Sequence, residues 1–398
     1  MSAPIPADQV HAPASAARPS RARVPVASSL SALESVPIPA WTALAARAIE
    51  PNACYLPSWA IPVSRHARGR SGALALTAFD RAAPDRLTGL MPVRWARRAL
   101  SLPVPLLVSW NAYAPFAAPL LDRDCAIDAA SALLDAARIA GARALLLQHI
   151  PTGGAAYAAI LAALERRGLT PNILRSFRRA GLDARSDAET VLRGALSAKK
   201  LKELRRQRHR LEDTGRVSFD VASTPGQIGP ALEAFLALEA SGWKGARGTA
   251  LALHPGDAAF IREAAAALAG RGQFEIVSLA RNGATLASGL ILRDAGRAFF
   301  FKIAMDENEA RTSPGVQLTL DLTRHLCADP AIAFADSTAD GEHPMIDHIW
   351  RERIEIADLF VPLSRRDPGA LAIRALVAAR MRTIDVLKAI RRIKEKLP

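Results

Sequence analysis

Hydrophobic spacing changes period abruptly late in the chain. Phe299-Phe300-Phe301-Lys302-Ile303 is bulky, apolar and β-prone, whereas apolar positions from Val316 onward recur at helical spacing. Arg311-Thr312-Ser313-Pro314-Gly315 stands between them, where a helix should begin. Around this switch the pattern predicts helices over 227–240 and 257–269, then strands over 274–281, 284–293 and 297–305. Asn282-Gly283 marks the first hairpin and Asp294-Ala295-Gly296 the second. A helix over 314–327, a strand over 331–336 and a short helix near 344–351 follow. Earlier, strands are expected at 73–79, 88–94, 106–110 and 143–148, with helices at 126–140 and 154–167. Helices alternating with an antiparallel meander and a further strand give an α/β fold (α+β mixed sheet).

The ends of the chain read differently. Residues 1–36 are rich in Ala, Pro and Ser without sustained periodicity, the composition of a disordered segment. Near the C-terminus Ile373, Val377, Met381, Ile384 and Leu387 share one helical stripe among Arg and Lys. Such a helix either lies on an anionic membrane or packs on its own domain.

Composition narrows the classes. The chain has 398 residues, half of them hydrophobic, and no apolar run of membrane-spanning length. No secretory signal pattern opens it. Cys54, Cys125 and Cys327 lack paired spacing, which argues against a disulfide framework or structural zinc and fits a reducing cytoplasm. The net charge of +14 is concentrated: residues 199–216 hold eight Lys/Arg against three acids, and residues 370–398 hold eight against two. In SAKKLKELRRQRHRLEDTG, Leu201, Leu204 and Leu211 lie at helical spacing with no interleaved aromatic. That favours a solvated helix docked by its leucines over a nucleic-acid helix.

Candidate chemistry gathers at four places. Ser313 suits a helix N-cap and Pro314 the first helical position, while Gly315 clears the helix start for an anion. A capping Ser313 side chain would itself occupy one of the donors there. Asp336, at a strand's carboxyl end, leads into Asp340, Glu342 and His343, a group that offers a general base or a turn carboxylate. Metal ligation by His343, Asp347 or His348 is disfavoured by the five-residue histidine spacing. Lys302 interrupts an apolar strand, and Glu239, Trp243 and Lys244 mark a glycine-punctuated helix exit. No Gly-x-Ser-x-Gly elbow, Walker loop or dinucleotide fingerprint is present.

FLALEASGWKGARGTAL, AFFFKIAMDENEARTSPGVQLTLDL and FADSTADGEHPMIDHIWRER together resemble the Gcn5-related (GNAT) acyltransferase superfamily. The resemblance is nearer to its BioF2-like acetyltransferase branch, which includes proteins of bacterial cellulose biosynthesis, and more distant to FemAB-type transferases. It implies an acyl-CoA N-acyltransferase-like fold in two tandem halves. The implied division is a disordered stretch 1–36, a degenerate half 37–185, a transferase domain 186–363 and a basic helix 364–398. Acyl-CoA would lie where the central strand splays, with its pyrophosphate on Ser313, Gly315, Val316 and Gln317. A strand amide near Lys302, Ile303 or Ala304 would face the oxyanion, and Trp243 and Lys244 would face substrate. Asp336 or His343 would be the base, with Glu239 as the alternative, and no metal is implied. The superfamily loop reads Gln/Arg-x-x-Gly-x-Gly/Ala, whereas Pro314 and Val316 occupy the small positions here, which leaves the donor open. The leading expectation is acyl transfer to an amine-bearing small molecule, sugar or peptide, serving exopolysaccharide or envelope synthesis. The setting would be cytoplasmic or peripheral at the inner membrane face. Two alternatives stand beside it: a FemAB-like transferase drawing on aminoacyl-tRNA, and a non-catalytic accessory protein of a polysaccharide-synthesis complex.

Overall fold

The computed structural model describes residues 26–69, 72–96, 104–110 and 112–394, with side chains from 27 to 383. The first half runs β1 (Val26–Ala32), α1 (Ile38–Ala46), α2 (Pro57–His66), β2 (Leu74–Asp80), β3 (Leu87–Trp95) and β4 (Leu106–Ser109). It continues through the two-residue β5 (Leu120–Leu121), α3 (Ala126–Ile139), β6 (Ala144–Pro151), α4 (Ala155–Arg166) and β7 (Asn172–Asp183). Helices α5 (Ala188–Ala195) and α6 (Ala198–Glu212) lead into the second half. That half comprises β8 (Val217–Ala222), α7 (Pro225–Ser241), the short α8 (Trp243–Ala246), α9 (Pro255–Ala269), β9 (Phe274–Arg281) and β10 (Ala284–Asp294). Then come β11 (Arg297–Met305), α10 (Pro314–Ala328), β12 (Phe334–Asp336) and β13 (Glu352–Pro362), and α11 (Pro368–Lys394) ends the described chain.

All thirteen strands join one sheet, in the order β1-β2-β3-β4-β6-β13-β7-β12-β11-β10-β9-β8, with β5 beside β3. The order reads alike from both ends. Each half contributes four antiparallel strands and then a parallel fifth, β4 with β6 and β11 with β12. Each half's last strand crosses over to the other: β13 pairs β6, β7 pairs β12, and the two pair with each other. The tandem arrangement expected from the sequence is therefore present, but with exchanged strands at its centre.

Several boundaries need correction. Residues 26–36, assigned to a disordered stretch, supply the edge strand β1 and a 3₁₀ turn whose Leu33 is fully buried; Val36 follows it into the core. Small Ser and Ala residues in VASSLSA concealed the strand. The rest of the disordered assignment, 1–25, lies outside the described residues. The division at 185/186 also fails as a packing boundary, because β7 completes the second half's sheet and β13 the first's. The helix expected near 344–351 is only a 3₁₀ turn, 346–348.

α6 docks as its leucines foretold: Leu204 and Leu211 are buried, and Leu201 packs beside them against the second half's core. Ile373 and Val377 of α11 are buried on β4, β6 and β13, with Met381 against the same cluster. The stripe's remaining residues, Ile384 and Leu387, lie in α11 beyond the last described side chain.

The two parallel strand pairs end differently. In the first half β4 pairs β6 over Leu106–Val108 only, and residues 112–118 then fill the gap. Phe116, Ala117 and Ala118 are fully buried there, and Asn52 Nδ2 donates to the Phe116 and Ala118 carbonyls at 3.1 and 2.7 Å. In the second half β11 pairs β12 over Arg297–Phe299 only, and among the described residues its continuation to Met305 has no strand on that side.

Candidate active site

The open stretch of β11 brings together three charged groups from the sequence candidates. Glu239, near the end of α7, is buried to 2% exposure in a region that α8 and β11 close. Lys302 Nζ donates to Glu239 Oε1 at 2.9 Å, Lys244 Nζ donates to the same oxygen at 3.3 Å, and the Leu251 amide donates to Oε2 at 2.8 Å. Burial alone raises the Glu239 pKa, but Lys302, the Leu251 amide and Lys244 outweigh it and hold the carboxyl below its ordinary range. Two ammonium groups facing one carboxylate leave a net charge of +1.

Lys244 is the perturbed partner. Burial, then the neighbouring Lys302 charge, push its pKa below the usual lysine value, against the pull of Glu239. Its Nζ also donates to the Ile303 carbonyl at 2.6 Å. An ammonium has three hydrogens. Two are spent on Ile303 and Glu239, so the third can leave without breaking either bond. The side chain keeps 19% of its surface in solvent. Trp243 beside it is 48% exposed, with Arg247 over its ring and its amide held by Glu307 Oε1 at 2.7 Å.

The start of α10 differs from the expected cradle. Ser313 is the N-cap residue but adopts the left-handed conformation (φ 52°, ψ 54°), and its side chain makes no capping bond. The Val316 and Gln317 amides instead donate to the Ser313 carbonyl at 2.9 and 3.0 Å. The buried Gln317 side chain donates to the Leu204 carbonyl of α6 at 2.8 Å. A Cβ on Gly315 would stand 3.0 Å from Met305 Sδ and 3.6 Å from both Ile303 Cδ1 and Met345 Sδ. Gly315 thus admits two methionine thioethers, flexible groups that a ligand could displace. Ala304 is buried within β11.

Asp336 lies elsewhere. It is wholly buried in the sheet and accepts from Arg179 Nη2 at 2.6 Å and from the Thr338 amide at 2.8 Å, and no hydrogen bond among the described residues ties it to Lys244, Lys302 or Glu239. His343 sits nearer, close enough that Lys244 acts on it electrostatically. Burial pushes its pKa down, Lys244 adds to this, and Asp347 and Asp340 oppose it. Its Nδ1 accepts from the Met345 and Ile346 amides at 3.3 and 3.4 Å, so the neutral ring carries its proton on Nε2 and presents a donor. Thr338 of the same loop donates to the Phe300 carbonyl at 2.7 Å, tying the loop across the open edge of β11. Among the described residues no His, Cys, Asp and Glu cluster suits a metal ion.

An unpaired strand edge beside a helix start, with charged groups at its carboxyl end, agrees with one comparison. Residues 198–341 match the acetyltransferase (GNAT) domain family. This GNAT segment is about a third of the chain and contains Glu239, Lys244, Lys302 and the start of α10. No curated protein matches the chain significantly. Solved structures match it over both halves. A C-terminal domain assigned to a lysylphosphatidylglycerol synthetase from Agrobacterium fabrum is 15% identical, covering 85% of this chain and 94% of its own, with a TM-score of 0.53. FemX is 10% identical, with 82% and 96% covered and a TM-score of 0.53. A protein of unknown function from Bacteroides thetaiotaomicron is 13% identical, with 85% and 99% covered and a TM-score of 0.52. At these identities the likeness is one of fold.

Sequence reasoning brought Glu239, Lys244 and Lys302 forward separately and missed that they form one cluster. A shared target for two lysines on different elements has no spacing signal. The Lys302 interruption of an apolar strand was the available sign.

Proposed function

We propose that this protein is an N-acyltransferase that moves an acyl group to an amine at the open edge of β11, using the second half of the chain. The observation that carries this reading is the Lys244–Glu239–Lys302 cluster inside the GNAT segment. The attacking amine nitrogen forms its bond to the donor's carbonyl carbon, and the carbon–sulfur bond of a thioester breaks. Lys244, in its neutral form, takes the proton that the amine sheds and returns it to the leaving thiolate. Lys302 and, after protonation, Lys244 stabilise the oxyanion of the tetrahedral intermediate. Glu239 holds both lysines in place. The first half, whose corresponding gap residues 112–118 fill, has a scaffolding role.

Acyl-CoA is the donor proposed first, with its phosphates at the start of α10 once the Met305 and Met345 thioethers move aside. An aminoacyl ester is the second reading, favoured by one observation: the Val316 and Gln317 amides are already engaged. The similarity of fold to FemX and to a lysylphosphatidylglycerol synthetase domain supports an acceptor in envelope synthesis, at a cytoplasmic or membrane-peripheral site. Among the described residues no helix is long and apolar enough to cross a membrane.

Calorimetry with acetyl-CoA and with aminoacyl-tRNA separates the donors. The expected result is acetyl-CoA binding that Gly315→Trp abolishes, because an indole cannot share the space of two thioethers. Undiminished binding in that variant removes the phosphates from α10, and binding of aminoacyl-tRNA alone selects the second reading.

A further inference from the structure

At the other end of β11 lies a cleft of about 440 Å³, lined by Glu50, the Gly153-Gly154 turn, Arg297, Arg353 and Glu355. Both halves build it, the first through Glu50 and the turn, the second through the remaining residues. Lys302 lies five positions along β11 from Arg297, about 16 Å of β-strand rise, so this space is distinct from the acyl-transfer cluster.

Arg297 is held unusually. Its guanidinium carbon stands 5.0, 5.4 and 5.9 Å from the ring centroids of Phe116, Phe334 and Phe299, and only 18% of the side chain is exposed. Such an aromatic surround holds a guanidinium in place. Among the described residues its one hydrogen bond is a long 3.4 Å contact to Glu50 Oε1. A guanidinium carries five donors, and those that Arg297 does not spend on Glu50 are open to the cleft, since none of its nitrogens is among the buried atoms left without a partner. Other enclosed arginines here are served better. Arg179 bonds Asp336 and the Pro115 carbonyl, each at 2.6 Å, with only its Nε left without a partner, and Arg293 bonds both Glu275 and Asp329.

Glu50 cannot close on Arg297 to mend this. Its Oε2 accepts from the Ala156 amide at 3.0 Å, and a Cβ on Gly154 would stand 2.3 Å from that oxygen, so the carboxylate is wedged against the turn. Arg353 is spent on the Trp350, Glu352 and Asp347 carbonyls and forms a fixed wall. The cleft's other carboxylate, Glu355, is largely exposed and faces Arg178 Nε at 3.7 Å, so among the described residues no second acceptor closes on Arg297.

We propose that this cleft is a second ligand site, in which Arg297 takes an oxyanion, carboxylate or phosphate, through its guanidinium fork. Paired N–H···O bonds to such an anion are among the strongest polar contacts available to a protein. The site is independent of the acyl donor.

The test is calorimetric titration of the full chain with inorganic phosphate and with acetate, at constant ionic strength and with chloride as the control. Saturable binding of one of the two is expected, and which one identifies the oxyanion. Arg297→Lys, which keeps the charge but loses the fork, should weaken it at least tenfold. Glu50→Gln, which removes the competing carboxylate, should tighten it. Absence of saturable binding by either anion overturns the proposal, as does equal affinity in Arg297→Lys. If Arg297→Lys does not fold, unchanged or weaker affinity in Glu50→Gln overturns it. Binding that survives Arg297→Lys and disappears in Lys302→Met places the ion at the acyl-transfer cluster and also overturns it.

Discussion

Single buried charges in this protein are governed by how many partners reach them. Glu239 has three donors and stays ionised despite burial. Asp294 is almost as enclosed but among the described residues accepts only from the Asn52 amide, at 2.9 Å, and burial pushes its pKa from 3.8 up to about 6. A carboxyl whose folded pKa lies above its unfolded one binds more protons when folded, so stability falls as pH rises from about 4 to about 6. A shift of that size corresponds to roughly 3 kcal/mol at most, lost by pH 7. Asp294→Asn keeps the shape and the acceptor while removing the charge. It should therefore raise stability at pH 7 by about 1–3 kcal/mol, with the gain vanishing below about pH 4. Urea denaturation of both proteins at the two pH values checks this. The residue candidates were legible in the sequence only as types. Lys302, Glu239 and Lys244 stood out because charge interrupts apolar or glycine-rich context. Asp336 stood out equally and proved to be a buried partner of Arg179, because nothing in a strand's alternation announces an arginine from β7.

At the scale of elements, strong periodicity or turn chemistry predicted well. The β9–β10–β11 meander, with its Asn282-Gly283 turn, falls where the pattern put it, and so does α10. β1, β7, β8 and β13 escaped notice. β7 carries three arginines, Arg175, Arg178 and Arg179, and β13 alternates charge with apolar residues, so both resemble exposed loops until the exchange buries their ends. Gly181 shows how closely these strands meet. A Cβ there would stand 2.5 Å from Phe334 Cζ and 3.3 Å from Ile354 Cγ1, across the β12 and β13 partners. Gly181→Ala should destabilise the fold by about 1–3 kcal/mol through overpacking at the central seam. A denaturation midpoint equal to that of the unaltered protein would show the seam to be looser than described. Ser313-Pro314-Gly315 does start a helix, but through a left-handed residue rather than a side-chain cap, a conformation that serine gives no sign of in sequence.

On the scale of the molecule, the exchanged strands make two halves into one cooperative body. Neither half owns the strand that covers its fifth, so 1–196 and 197–398 expressed separately should remain unfolded and should regain structure when mixed. Circular dichroism of the separate and combined pieces tests this, and independent folding of either piece would contradict it. The same design leaves one gap filled and one open, which directs the proposed chemistry to β11. That claim is tested most directly by the rate of amine-dependent acyl release from acetyl-CoA and from aminoacyl-tRNA, measured across pH for the unaltered protein and for Lys244→Met. The titration of the acceptor amine is common to both proteins. The unaltered protein should show an additional limb that rises with pH and levels off below 10.5, the ordinary lysine value, as Lys244 loses its proton. Lys244→Met, folded by its melting curve, should lose the limb and about a hundredfold or more in rate. An unchanged rate and profile in Lys244→Met would contradict the account, as would the absence of amine-dependent release from either donor.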